Sequence, residues 1–145
     1  ACAKLGRRGL LLTRHRDHLP ARLPGGVIHV HYAPFSQLLP RCAAFVHHGG
    51  IGSTAQALAA GVPQLVMPFT HDQPDNAARI KRLGAGFVIA KRQYEPDRVG
   101  RMLRELIAST SVARQCAAIA HRFENAGAIG RACDMIEALA SATRR

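Results

Sequence analysis

The sequence contains no tryptophan, two tyrosines and five phenylalanines, so aromatic residues make up only 5% of its 145 positions. That scarcity argues against the basic surface interleaved with aromatics on which single-stranded nucleic acids stack. Acidic residues are few as well: nine Asp and Glu stand against 20 Lys and Arg, leaving a net charge of +11. Such an excess invites nucleic-acid binding through counterion release. The arginines are dispersed, however. Arg98, Arg101, Arg104, Arg114, Arg122 and Arg131 are separated by apolar residues, the pattern of a solvated helix face. No nucleic-acid partner is expected, and the charge can serve to attract anionic ligands or an acidic surface. Cysteines at 2, 42, 116 and 133 form no C-x-x-C pair. Neither a zinc knuckle nor a redox dithiol is indicated, and free thiols are expected. No run approaches the roughly 18 apolar residues of a spanning helix, and the start lacks the charged-then-apolar order of a secretion signal. A soluble, cytoplasmic protein is the expectation.

What is present is an alternation of short apolar runs and amphipathic segments. The runs Leu10 to Thr13, Val27 to Tyr32, Ala43 to His47, Gln64 to Met67 and Gly86 to Ala90 are strand candidates. Helices are predicted at about 36 to 41, 54 to 60, 74 to 83, 96 to 108, 112 to 126 and 129 to 142. Strands alternating with helices imply an α/β domain, a Rossmann-like parallel sheet with helices on both faces, followed by a helical tail that packs on it. Residues 1 to 145 form one domain on this reading. The opening Ala1 to Gly6 resembles the last turn of a helix stopped by glycine, without a starting methionine, so the chain reads as a fragment.

One junction carries chemistry. In AAFVHHGGIGSTAQALAAG an apolar strand, a glycine-rich turn and a helix start follow one another directly. Gly49, Gly50 and Gly52 let backbone approach a ligand closely, and a helix start offers unpaired N–H groups with about half a positive charge. Phosphate oxygens satisfy both. The turn has no lysine after its last glycine and lacks the full dinucleotide-binding spacing, so neither of those phosphate loops is implied. A structural alternative stands beside the functional one: glycine can serve merely to turn, and Ser53 with Gln56 forms an S-x-x-Q capping box. His48, at the carboxyl end of a strand where open α/β sheets bind ligands, is placed to donate to phosphate.

A second group follows in Thr70-His71-Asp72-Gln73-Pro74-Asp75-Asn76. The Asp72 carboxylate and the Gln73 amide suit the paired hydroxyls of a sugar, although either could equally cap a helix that has Pro74 in its first turn. A metal site is rejected, because adjacent His47 and His48 point to opposite strand faces and no carboxylate or cysteine falls at ligand spacing from the histidines. Ser53 lies outside a G-x-S-x-G elbow, which excludes that hydrolase pattern.

Together, Tyr32-Ala33-Pro34, Leu38-Leu39-Pro40-Arg41, His47 to Thr54, Gly61-Val62-Pro63, Asp72-Gln73 and Asn76-Ala77 resemble the carboxyl-terminal domain of GT-B glycosyltransferases of the UDP-glycosyltransferase type. The wording is closest to bacterial and fungal sterol, lipid and natural-product glycosyltransferases. The resemblance spans nearly the whole chain. It implies that His48, Gly50, Gly52, Ser53 and Thr54 bind the donor diphosphate. Gln56 falls where many relatives hold the ribose hydroxyls with a glutamate, Tyr32 where plant relatives stack a tryptophan on uracil, and Phe35 where they have a glutamine. Asp72 and Gln73 match the pair that holds sugar hydroxyls.

The implied activity is inverting transfer of a hexose from a UDP- or dTDP-sugar to a hydroxyl of a sterol, lipid or natural product, with neither cofactor nor metal. His48 is the implied catalytic contact to the leaving phosphate. The resemblance further implies that the general base and acceptor pocket belong to an amino-terminal domain, and that a first strand precedes Ala1. A full enzyme of this kind could associate peripherally with a membrane. Two alternatives remain: another GT-B reaction, such as N-acetylglucosaminyl transfer or UDP-sugar epimerisation, and a non-catalytic nucleotide- or nucleic-acid-binding module.

Overall fold

A computed structural model describes residues 1–124 and 127–142. Five parallel strands alternate with helices, as the sequence predicts: β1 (Gly9–Leu12), β2 (Val27–Val30), α1 (Phe35–Leu38), β3 (Phe45–His47), α2 (Ile51–Ala59), β4 (Gln64–Val66), α3 (Gln73–Arg82) and β5 (Gly86–Val88). Three helices close the order: α4 (Pro96–Ala108), α5 (Thr110–Glu124) and α6 (Ala128–Ala142). The predicted helix over 112 to 126 runs past this, and its residues 125 and 126 lie outside those described. Ala1 to Gly6 forms a 3-10 turn at Ala3–Leu5 closed by Gly6 at φ 60°, in keeping with a glycine-stopped helix end.

The strands divide into two parallel sheets, β1 with β2 and β3-β4-β5. Each of β1 and β3 therefore keeps an unpaired edge among the described residues. The three-stranded sheet is the packed one. Leu65, Val66, Ala77 and Ile80 join Val99, Leu103 and Leu106 of α4 and Val112, Cys116 and Ile119 of α5 in one buried cluster. A smaller cluster, Leu39, Ala57 and Val62, fixes α1 and α2 beside β3. The β1–β2 pair is more open: Leu10, Leu11 and Ile28 are 40%, 40% and 59% exposed, unusual for parallel strands, which are normally covered on both faces. The helical tail packs only in part. α4 and α5 contribute to the core, whereas Met135, Ile136 and Leu139 of α6 are 68%, 66% and 68% exposed. All four thiols are free.

A buried polar pair binds β3 to β4. The His47 Nε2–H donates to Gln64 Oε1 at 2.9 Å, and His47 Nδ1 accepts the Gly49 N–H at 3.1 Å. That pattern requires the neutral imidazole with its proton on Nε2. Its ring also stacks on Phe45, with centroids 4.6 Å apart. Burial lowers the His47 pKa from 6.5 to about 4; the bond to Gln64 opposes this, and His48 adds to it. Protonating Nδ1 would turn a donor against the Gly49 N–H.

Because the folded pKa lies below the unfolded one, the unfolded chain binds the extra proton first. The stability contributed by His47 is complete above pH 6.5 and falls as pH drops from 6.5 towards 4, by up to about 3 kcal/mol. Thermal unfolding across that window should show a steeper acid loss for the wild-type chain than for His47→Gln. Equal slopes would exclude His47 as the cause.

Candidate functional site

The glycine-rich turn leaves the carboxyl end of β3 and enters α2 through Gly50, an extended N-cap residue (φ −60°, ψ 142°) without a side-chain cap. The helix begins at Ile51, three residues before the predicted start at 54. The capping box is not formed, because Ser53 already lies inside the helix and Gln56 Nε2 donates to Gly52 O instead, at 3.4 Å. The first intrahelical bond is Thr54 N–H to Gly50 O at 3.0 Å. The N–H groups of Ile51, Gly52 and Ser53 thus lack intrahelical acceptors, while the Thr54 amide is already committed. Thr54 is also buried, at 5% exposure, with its hydroxyl unpartnered. Of the residues expected to meet phosphate, Thr54 is turned inward and the others surround the helix start.

The glycines have distinct physical roles. Gly49 has φ 93°, and a Cβ there would lie 2.9 Å from Val66 Cγ1 and 3.2 Å from the Gln73 carbonyl, so the turn lies directly on β4 and the start of α3. A Cβ on Gly50 would come 2.7 Å from His48 Nε2, which places the exposed imidazole against the helix start. A Cβ on Gly52 would meet nothing within 4 Å. The side of the first turn on which a Gly52 side chain would stand is therefore open.

Asp72 and Gln73 come to the same place, tied by a residue whose role sequence reasoning missed. Asn76, 7% exposed, donates from Nδ2 to Gly49 O at 2.9 Å and to Asp72 Oδ2 at 2.7 Å. It fastens the phosphate turn to the start of α3. Its sequence signal was present only as part of the family wording, because a bond spanning 27 residues leaves no local pattern. Asp72 does not cap α3 with its side chain. Gln73 Oε1 accepts the N–H groups of Phe69 and Thr70, at 2.9 and 3.3 Å, and so shapes the loop. Between Thr70 and Asp72, His71 adopts φ 58°, a left-handed conformation that histidine tolerates better than most side chains and that turns the chain into Asp72.

On the other side of α2, Tyr32, Phe35 and Gln56 line a cavity of about 400 Å³, within the range of small-molecule sites. Tyr32 is 64% exposed. Phe35 is half-buried and also meets Phe45 edge-on at 5.2 Å, so it anchors α1 as well as lining the cavity. Gln56, one turn beyond the open amides, belongs to both regions. Arg14, Thr13 and His31 complete the polar part of the wall, at the carboxyl ends of β1 and β2. The sequence marks those strand ends but gives Thr13 and Arg14 no role, and offers His31, with His29, only as a rejected metal ligand.

Comparison with known proteins bears on the family and the fold. Residues 10–128 match the family described as erythromycin biosynthesis protein CIII-like, C-terminal domain. The O-mycaminosyltylonolide 6-deoxyallosyltransferase of Streptomyces fradiae is 42% identical over 110 residues, covering 76% of this chain and 24% of that protein. The crystal structure of the glycotransferase of kitacinnamycin superposes with a TM-score of 0.82 at 27% identity, covering 94% of this chain and 37% of that one. The glycosyltransferase VinC, solved in complex with DTDP, gives a TM-score of 0.67 at 38% identity, over 72% of this chain and 27% of that one. The chain thus spans about a quarter of the curated relative it matches. Because the family match spans most of the chain and the fold superposes on solved glycosyltransferases, the chain belongs to the erythromycin biosynthesis protein CIII-like C-terminal domain family, the donor-binding half of a GT-B glycosyltransferase.

Proposed function

We propose that this chain binds a dTDP-deoxyhexose and forms one wall of the cleft of an inverting glycosyltransferase that acts on a hydroxyl of a hydrophobic natural product. The observation that carries the reading is the start of α2, where three amides lack intrahelical acceptors and the exposed His48 imidazole lies against Gly50. A diphosphate supplies the oxygens such a site requires. The Fradiae relative's name specifies a 6-deoxyallosyl group, and VinC was solved with DTDP, which favours a thymidine-linked deoxysugar over the UDP-hexose also considered from the sequence.

In this mechanism an acceptor hydroxyl displaces the nucleoside diphosphate from the sugar carbon. Negative charge grows on the leaving phosphate, and the amides of Ile51, Gly52 and Ser53 with the His48 N–H stabilise it without reorganising; loss of one such donor typically costs about 3 kcal/mol. Tyr32 offers a face to the base, Gln56 bonds to ribose, and Asp72 with Gln73 receives sugar hydroxyls. Deoxysugars present fewer of these, and Gln73 Oε1 already accepts two loop amides, so Asp72 is the principal acceptor. The general base, the acceptor pocket and a strand joining the free edges of β1 and β3 are assigned to an amino-terminal part of a longer parent protein.

Calorimetric titration with dTDP tests the cradle: His48→Ala should weaken binding about tenfold, the worth of one charge-assisted hydrogen bond. Unchanged affinity would remove His48 from the site. Asn76→Ala should lower the melting temperature, since it leaves Gly49 O and Asp72 Oδ2 without their partner at a cost of about 1–3 kcal/mol, and should weaken dTDP binding as well. Retained stability and affinity would show that the tie is dispensable. The chain alone should bind dTDP yet transfer sugar to hydrophobic alcohols no faster than the uncatalysed background; robust turnover would refute the assignment of the base to another domain.

A further inference from the structure

The cavity beside Tyr32 contains a cation that the donor-site reading has not used. Arg14 follows β1 directly and lines the cavity with Tyr32 and Gln56. The corner that presents it is fixed through the preceding residue. Thr13 N–H donates to Val30 O at 3.3 Å, Thr13 O is bonded by His29 Nε2 at 2.9 Å, and Thr13 Oγ1 accepts the His15 N–H at 3.1 Å. Every polar group of Thr13 is thus occupied. The Arg14 side chain is exposed and, among the described residues, forms no ion pair. A rigid corner with an uncommitted guanidinium facing a cavity is a device for reading an acceptor.

We propose that Arg14 determines base specificity by donating to a carbonyl oxygen of a thymine or uracil ring lying on Tyr32, an inference that rests on the donor-site reading above. Stacking on Tyr32 accepts any base, because every base has a π-face, so discrimination must come from a polar contact. A guanidinium only donates. Thymine and uracil present carbonyl acceptors on both sides of N3, whereas adenine has no carbonyl and sets an amino donor, which a guanidinium repels, beside its ring-nitrogen acceptors. Gln56 both donates and accepts, and His31 does so as a neutral ring, so neither discriminates as sharply as Arg14. His29 acts as a positioning residue, through its bond to Thr13 O.

Titration of the 145-residue chain with dTDP, UDP, GDP, ADP and inorganic pyrophosphate tests this, using the wild type, Arg14→Ala and Arg14→Lys. The wild type should favour dTDP and UDP over ADP by about tenfold or more, the effect of one charged hydrogen bond. Arg14→Ala should weaken dTDP and UDP by about ten- to a hundredfold while changing ADP and pyrophosphate by no more than about twofold. Arg14→Lys, which keeps the charge but loses the planar fork, should fall between them. Equal losses for all five ligands would overturn the proposal in favour of simple charge attraction, leaving the donor site intact. Tighter binding of GDP than of dTDP, lost in Arg14→Ala, would overturn the choice of thymine or uracil, since guanine also offers paired acceptors to arginine. If the wild type binds none of the five, the donor-site reading falls and this proposal with it.

Discussion

Gly49 is held from both sides, and the candidate site depends on that grip. Its N–H donates to His47 Nδ1 and its carbonyl accepts from Asn76 Nδ2, while its missing Cβ lets the backbone rest on Val66 and the start of α3. The two bonds come from different elements, β3 and α3, so the turn cannot shift without disturbing both. Downstream of this fixed point, Gly50 sets the direction of α2, and the open amides follow. Pre-set donors of this kind are effective because they need no reorganisation as charge develops. The same grip reaches Asp72, which shares the Asn76 amide with Gly49. The turn proposed to hold phosphate and the carboxylate proposed to hold sugar are therefore parts of one framework.

The chemistry of His47 and His48 illustrates how neighbouring identical residues diverge. His47 lies inside, stacked on Phe45 and bonded at both ring nitrogens, so its value is structural and depends on its staying neutral. His48 lies outside against Gly50, where its ring can reach a ligand. The alternation of strand side chains produces this division.

Much of the fold was legible because apolar runs bounded by glycine and proline mark strands, and all five runs are strands in the structure. The helix start was misread for a physical reason. Ser53 and Gln56 imitate a capping box, whereas Gly50, with nothing to show on its side chain, is the residue that turns the backbone. Tyr32, Phe35 and Gln56 were picked one by one, and only the structure shows them sharing a cavity with Arg14. Asn76 and Thr13 stayed silent because their roles lie in bonds to distant backbone. The division into two sheets was equally hidden, since strand order is a long-range property that no local run encodes.

The open edge of β1 gives the positive charge of the chain another meaning. An unpaired strand carrying Leu10 and Leu11 is a template for a second strand, including one from another copy. Exposed Arg7 and Arg8 stand just before it and Arg14 just after, so both ends of the edge carry like charge. Flanking charges of this kind act as gatekeepers, making self-pairing repulsive while leaving the edge available to a segment without that charge. In this chain the like charges at both ends of the β1 edge make pairing of two copies there repulsive, whatever strand lies on that edge in a longer protein.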